Sequence, residues 1–342
     1  MKNDYIDVAC SYVPVEIIHA AGFIPRRLIP AAPKETGLLP PNLCSYARAC
    51  AIPDGGGTVP AVFTTCCDGL RRCYDVRRAR GDQVFILDLP RQANESAFWH
   101  YRQELIRMEG WLREISGRPV FAEKLQDSFR AYRKVRLQLQ NFEKLVGING
   151  RFWELLYGAL TGPPEGALQL FGKFLAGFAP VKPRPEPKKR RVLLAGTILP
   201  DQKILDLVQE SKVTVAFADF CVAGRFYLDF NHSSAGGRRL DRSLRGDPWL
   251  ILAKVYLGKP PCPRMAGKSG RAPYIESILA DVRPAGVIFS GLKFCDQGLY
   301  EVPLWRLLCS RREIPFLHLE GEYQGGVPAQ AKTRLEAFLE TI

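Results

Sequence analysis

Three cysteines in this sequence stand where cysteines do chemistry. Cys67 follows the apolar run Ala61–Thr65, in Thr64-Thr65-Cys66-Cys67-Asp68-Gly69, and precedes a helical pattern. Cys295 follows the run Gly286–Ser290, in Gly291-Leu292-Lys293-Phe294-Cys295-Asp296, and precedes another. Cys44, in Asn42-Leu43-Cys44-Ser45-Tyr46, opens a helix after a proline-rich loop. A thiolate at a helix N-terminus is stabilised by the helix dipole and by free amide donors. The same amides can hydrogen-bond cluster sulfur and tune its potential. Cys-Asp after a strand occurs once in each half of the chain, which suggests a ligand set spanning both halves.

The spacing argues against zinc: there is no Cys-x-x-Cys pair, and His19, His100, His232 and His318 are scattered without a metal pattern. The clustered cysteine run of a ferredoxin is missing too. A three-cysteine site would leave one iron without a thiolate, open to water or a substrate oxygen. Each of these cysteines also has a bland reading as a small buried hydrophobe. That reading fits Cys50, Cys73 and Cys309 well. Cys66 is too close to Cys67 to share an ion with it comfortably. Cys221, in Asp219-Phe220-Cys221, and Cys262, in Pro260-Pro261-Cys262-Pro263, sit in loops where a ligand is conceivable.

The elements that must position these residues alternate. In the first half, strands are expected at Phe23–Leu28, Ala61–Thr65 and Val84–Leu89, with helices at Pro14–Ala21 and Gly69–Arg80. A long helical stretch follows at Ala97–Ile115, Ala122–Val146 and Gly150–Leu160. Four prolines among charges in Pro180–Arg191 disfavour helix and central strand, so a boundary is placed there. Beyond it, strands at Val192–Leu199, Val213–Phe217, Gly286–Ser290 and Pro315–Leu319 alternate with helices at Gln202–Glu210, Trp249–Tyr256, Tyr274–Leu279, Tyr300–Ser310 and Gln330–Ile342. The pattern predicts α/β architecture with parallel sheets flanked by helices, in two units: residues 1–180, carrying Cys44 and Cys67 and a helical extension, and 190–342, carrying Cys295. Such sheets bind ligands at the carboxyl ends of their strands.

At 342 residues the chain is about twice the usual size of one domain. Ten cysteines are too sparse for a disulfide scaffold, and MKNDYIDVAC lacks the basic and apolar regions of a secretory signal. No apolar run approaches the ~20 residues of a membrane span. A cytoplasmic protein off the membrane is expected. The net charge of +13 invites a nucleic-acid reading. Much of it, however, sits in Lys188–Arg191 and in a helix with Arg71, Arg72, Arg77, Arg78 and Arg80, and no nucleic-acid motif accompanies it. An acidic protein or a phosphate-bearing molecule fits as well. Gly267-Lys268-Ser269 ends like a P-loop, but Cys262 stands where its first glycine belongs; Gly55-Gly56-Gly57 is simply a turn. ATP hydrolysis and dinucleotide binding by this chain are not expected.

Taken together, these residues resemble the 2-hydroxyacyl-CoA dehydratase D-component family, which includes benzoyl-CoA reductase subunits and double-cubane cluster proteins. The likeness lies in Val13-Pro14-Val15-Glu16-Ile17-Ile18, Leu43-Cys44-Ser45, Cys67-Asp68, Leu87-Asp88-Leu89-Pro90-Arg91, Asp219-Phe220-Cys221, Gly224-Arg225-Phe226, Pro261-Cys262-Pro263, Lys293-Phe294-Cys295-Asp296 and Thr333–Glu340. It implies two Rossmann-like domains with a 4Fe–4S cluster between them on Cys44, Cys67 and Cys295. It implies an ATP-hydrolysing iron–sulfur activator that injects one electron, and a (R)-2-hydroxyacyl-CoA that loses its hydroxyl through a ketyl radical anion. Partners would be a related subunit, in a heterodimer or homodimer, and an acyl-CoA. Ser45 near the cluster is a candidate catalytic residue, or a helix cap. Asp68 and Asp296 would steady the ligating loops, while Glu16, Arg91 and Glu336 fit structural roles equally. The chain departs from the family in a short loop between Cys50 and Ala61 and in Cys66-Cys67-Asp68 where Ser-Cys-Asp is common. Two alternatives stay open. One is a benzoyl-CoA-reductase-like or double-cubane reductase with an 8Fe–9S cluster, to which Cys50, Cys66, Cys221 or Cys262 would add ligands; the other is a non-catalytic electron relay.

Overall fold

A computed structural model describes residues 4–33, 37–52, 59–176, 190–199, 202–211, 213–228, 246–266, 270–325 and 328–342. The first half runs β1 (Tyr5–Val8), α1 (Val15–Ala20), β2 (Ile24–Arg27), α2 (Ser45–Ala51), β3 (Ala61–Thr64), α3 (Asp68–Ala79) and β4 (Val84–Leu87). Four helices follow: α4 (Glu95–Ser116), α5 (Ala122–Val146), α6 (Gly150–Thr161) and α7 (Pro164–Ala176). Next come β5 (Arg191–Gly196), α8 (Gln202–Glu210), β6 (Thr214–Asp219), α9 (Gly224–Tyr227), α10 (Pro248–Leu257) and α11 (Arg271–Val282). The chain closes with β7 (Gly286–Leu292), α12 (Asp296–Leu299), α13 (Val302–Ser310), β8 (Phe316–Gly321) and α14 (Ala329–Thr341).

The strands form two four-stranded sheets in the orders β2-β1-β3-β4 and β6-β5-β7-β8, parallel throughout. The α/β class with flanking helices is therefore as the alternation predicts. β3 is buried at every position and β5 at all but its first, the near-continuous apolar runs that sheets covered on both faces demand. Most predicted elements lie within a few residues of those observed. The strand β1 and helices α7 and α9 have no counterpart among the elements expected from sequence.

The helices are stopped and started by local chemistry. Asn94 caps α4 through Ala97 N–H, and Asn149 caps α6 through Phe152 N–H. Gly117 ends α4 with φ 71°, a left-handed conformation that costs glycine nothing. Packing then crosses between the two halves. In α5, Leu125 and Phe129 join the core of the first sheet, while Val135, Leu139 and Phe142 join that of the second. In return α10, which follows β6 in sequence, puts Leu252, Ala253, Tyr256 and Leu257 into the first core. Most of the Pro180–Arg191 stretch lies outside the described residues, as do Gly55-Gly56-Gly57 and Gly267-Lys268-Ser269.

Candidate functional site

Cys44, Cys67 and Cys295 are the N-cap residues of α2, α3 and α12. All three belong to one apolar cluster, which also holds Leu292 and Tyr323 from the second sheet and Ala9, Leu28 and Phe63 from the first. The Leu70 amide donates to Cys67 Sγ at 3.4 Å. The Cys44 and Cys295 thiols touch: the hydrogen bond from Cys295, helped by the first amides of α2, holds the Cys44 thiol down to about 7. The same contact, with burial, pushes Cys295 well up. Cys295 is aimed by a strained turn, for Phe294 before it takes φ 58°, a region that non-glycine residues rarely adopt.

Further thiols continue the group. Cys10, at the end of β1, is hydrogen-bonded to Cys66, which contacts Cys67 in turn. The bond to Cys66 and burial raise Cys10; in Cys66 the bond from Cys10 pulls down, but the Cys67 contact and burial prevail upward. Cys221 lies past the end of β6, with Ser11 Oγ at 3.2 Å and an Arg27 Nη2 that donates to its sulfur at 3.4 Å. Burial pushes Cys262 up to about 11, and its field acts on Cys295. Cys10, Cys67, Cys221 and Cys295 thus all follow the carboxyl ends of strands, from two sheets whose loops meet end to end.

Close approaches hold the loops together. A methyl group on Gly298 would fall 2.2 Å from Thr197 Cγ2, and one on Gly69 would fall 2.9 Å from Ala47 Cβ. Ser45 is fully buried, and its Oγ accepts the Tyr323 N–H at 2.8 Å, tying α2 to the loop after β8. Arg48 reaches Glu322 across the same seam at 3.3 Å. Behind Cys221, Asp219 binds Arg225 and Arg271, and Arg271 also binds Glu301. Burial alone would raise the Asp219 carboxyl; the two guanidiniums overrule it and hold it at about 2.

Glu16 is an internal ion-pair residue: Arg136 Nη1 donates to it at 2.7 Å and Tyr256 Oη at 2.5 Å. Asp68 and Asp296 occupy the first turns of α3 and α12, where their charge suits the helix dipole. The Arg91 carbonyl accepts from Ala266 N–H, and Glu336 pairs with Lys332 on the surface. Cys50, Cys73 and Cys309 are core residues, as expected from sequence. Of the basic helix α3, Arg71, Arg72, Arg78 and Arg80 are exposed, but Arg77 is buried against Asp82. Cys10 escapes a reading by pattern because β1 does; its one signal is the short apolar run that ends at it.

Residues 10–342 match the family profile of the 2-hydroxyglutaryl-CoA dehydratase D-component. The chain belongs to that family. Among its relatives, a benzoyl-CoA reductase subunit of Thauera aromatica is 23% identical over 97% of this chain and 89% of its own. The putative dehydratase subunit YjiM of Escherichia coli is also 23% identical, with 97% and 90% covered. The beta subunit of (R)-2-hydroxyglutaryl-CoA dehydratase from Acidaminococcus fermentans is 22% identical over 97% and 90%. As a D-component, this chain is thus related to subunits of both dehydratases and reductases. Among the described residues, no helix is long and apolar enough to cross a membrane.

The donor chemistry of this D-component fits an iron–sulfur group. The facing side chains are thiols in apolar surroundings, the ligands such clusters prefer. Among the described residues no three His, Cys, Asp or Glu side chains converge on a point where they could hold one metal ion. Thiols that burial holds protonated would release those protons on loading.

Proposed function

We propose that this chain is the electron-transferring iron–sulfur component of a reductase related to benzoyl-CoA reductase, with a double-cubane 8Fe–9S group between its sheets. The observation that carries this reading is the six-thiol set. Cys10, Cys44 and Cys67 come from the first sheet's loops, Cys221 and Cys295 follow strands of the second, and Cys262, after α10, packs against the first core. Three thiols suffice for one cubane; six suit two. Bound there, such a group supplies single electrons at low potential. The residues of the chain orient and neutralise it: helix N-caps present Cys44, Cys67 and Cys295, and Arg27 faces Cys221. The reading assigns the chain to a reducing cytoplasm, where thiols stay free for iron.

The second reading is a subunit of a 2-hydroxyacyl-CoA dehydratase with one 4Fe–4S cubane on Cys44, Cys67 and Cys295. It is supported by the family and by the contact of Cys44 with Cys295. Both readings call for an ATP-hydrolysing iron–sulfur activator, a related subunit or second copy, and an acyl-CoA or other reducible substrate. Iron and acid-labile sulfide per chain after anaerobic purification separate them. About eight irons, falling by half or more in Cys221→Ala and in Cys262→Ala, support the double cubane. About four, lost in Cys67→Ala and unaffected by Cys221→Ala, favour the dehydratase subunit. No iron in a reconstituted wild type would sink both.

A further inference from the structure

A cavity of about 340 Å³ lies at the carboxyl ends of the second sheet's strands. Leu199 on its lining follows β5, Ser290 and Leu292 end β7, and Gly321 ends β8. The chain runs from β5 out to β6 and then returns to β7 on the other side of β5, so the strand order reverses between β5 and β7. A reversal of that kind opens a crevice at the strand ends, where α/β sheets receive their ligands. The volume falls in the range of small-molecule sites, roughly 300–1,000 Å³. The space beside Gly321 is open, for a methyl group there would meet nothing within 4 Å.

The walls decide which chemistry fits. Trp153 and Tyr157 of α6 and Tyr323 after β8 line the space, with Leu156 and Leu205 among its aliphatic residues. Ser290 and Gln324 add uncharged polar groups. Gln324 takes φ 56°, and backbone held in that region gathers at ligand-binding loops. The charged side chains on the lining are two carboxylates, Glu320 and Glu322; no lysine, arginine or histidine joins them among the described residues. Glu322 is paired with Arg48 at 3.3 Å, and Glu320 is exposed to solvent. A carboxylate taken into this space would lack a counter-charge, and the phosphates of coenzyme A would meet a field of their own sign. Leu199, Leu292 and Tyr323 also belong to the apolar cluster of Cys44, Cys67 and Cys295, so the cavity and the thiols share a wall.

We propose that this cavity binds one uncharged, largely apolar molecule about the size of a substituted benzene ring, and that it rejects anions, coenzyme A included. As a binding site it stands on the cavity alone; as a substrate pocket it rests on the reductase reading.

Calorimetric titration of the purified full-length chain with benzamide and with its anionic isostere benzoate tests this, with iron measured in every sample. Benzamide should bind saturably at one site per chain, benzoate should bind roughly tenfold or more weakly, and excess coenzyme A should not displace benzamide. Gly321→Phe, which fills the open space, should abolish binding. Tyr157 is 56% exposed, so Tyr157→Ala spares the core and decides the matter if Gly321→Phe does not fold. It should weaken benzamide about twofold to tenfold, the loss of one aromatic contact. No saturable benzamide binding to wild type, benzoate binding as tight as benzamide, displacement by coenzyme A, or wild-type affinity in both variants overturns the proposal. Benzamide binding to protein that holds no iron after reconstitution would support this site while refuting the cluster reading. Iron-loaded protein that binds no benzamide would refute the site and leave the cluster reading standing.

Discussion

At the scale of single residues, the site depends on places where a side chain is absent. Gly298 follows Cys295 by three residues, and its bare Cα lets Thr197 from the loop after β5 lie against α12. A methyl group there would meet Thr197 Cγ2 at 2.2 Å, well inside contact distance, and would force the Cys295 turn to move. Gly298→Ala is therefore expected to destabilise the protein by about 1–3 kcal/mol in denaturant titrations, the range typical of overpacking. Thr197→Ser, which removes that methyl, should restore most of the loss in the double variant; additive effects in the cycle would refute the assigned clash. The same residue scale holds the helix-start positions read from the sequence. Cys44, Cys67 and Cys295 stand out in the sequence because a thiol that opens a helix is chemically special, and all three are N-caps.

At the scale of elements, helix α5 couples the two cores and carries a titratable lock. Glu143, near its end, accepts from Tyr227 Oη at 2.8 Å, and Tyr227 closes α9 under the second sheet. Burial pushes the Glu143 carboxyl up to about 7, although the tyrosine hydroxyl works the other way. The folded state therefore holds a proton that the unfolded chain releases near pH 4.5. The stability tied to that proton is complete below pH 4.5 and is lost as the pH rises through about 7. Denaturation midpoints of wild type should fall across this window by an equivalent of roughly 2–3 kcal/mol. Glu143→Gln, which keeps the size and the acceptor but cannot ionise, should flatten that slope. An unchanged slope in the variant would show that other groups carry it.

At the scale of the whole molecule, the two sheets meet through the carboxyl ends of their strands, and buried polar bonds help pin the seam. Ser45 Oγ on Tyr323 N–H and Tyr323 Oη on the Pro30 carbonyl are both buried. Ser45→Ala would leave the Tyr323 amide unpaired inside the seam, at a cost of about 1–3 kcal/mol. Hydrogen exchange should then accelerate in the segments around Cys44 and Tyr323 and stay unchanged in α4, which lies in the first core away from the seam. Uniform acceleration over the chain would mean that the bond supports global stability only. The positive charge is also a whole-molecule property: Arg77, Arg225 and Arg271 are neutralised by the equally buried Asp82, Asp219 and Glu301, so the net excess stays with the surface residues.

The α/β class, most of the strands and helices, and three cysteines at helix starts are legible in the amino-acid order alone, because each is written in local periodicity and in the chemistry of short segments. β1 is not legible there, for its four residues include Asp7. A buried acid argues against a central strand until Arg26 on the neighbouring β2 is seen to pair with it at 2.7 Å. With β1 goes Cys10. Nor does the order of residues reveal that α10 packs beneath the first sheet, that Cys10 stands beside Cys66, or that Cys262 meets Tyr12, since these are meetings between residues up to two hundred and fifty positions apart. Such neighbours are settled by the folded arrangement, because burial and pairing there depend on which face of which distant element arrives, and no local pattern encodes that arrival.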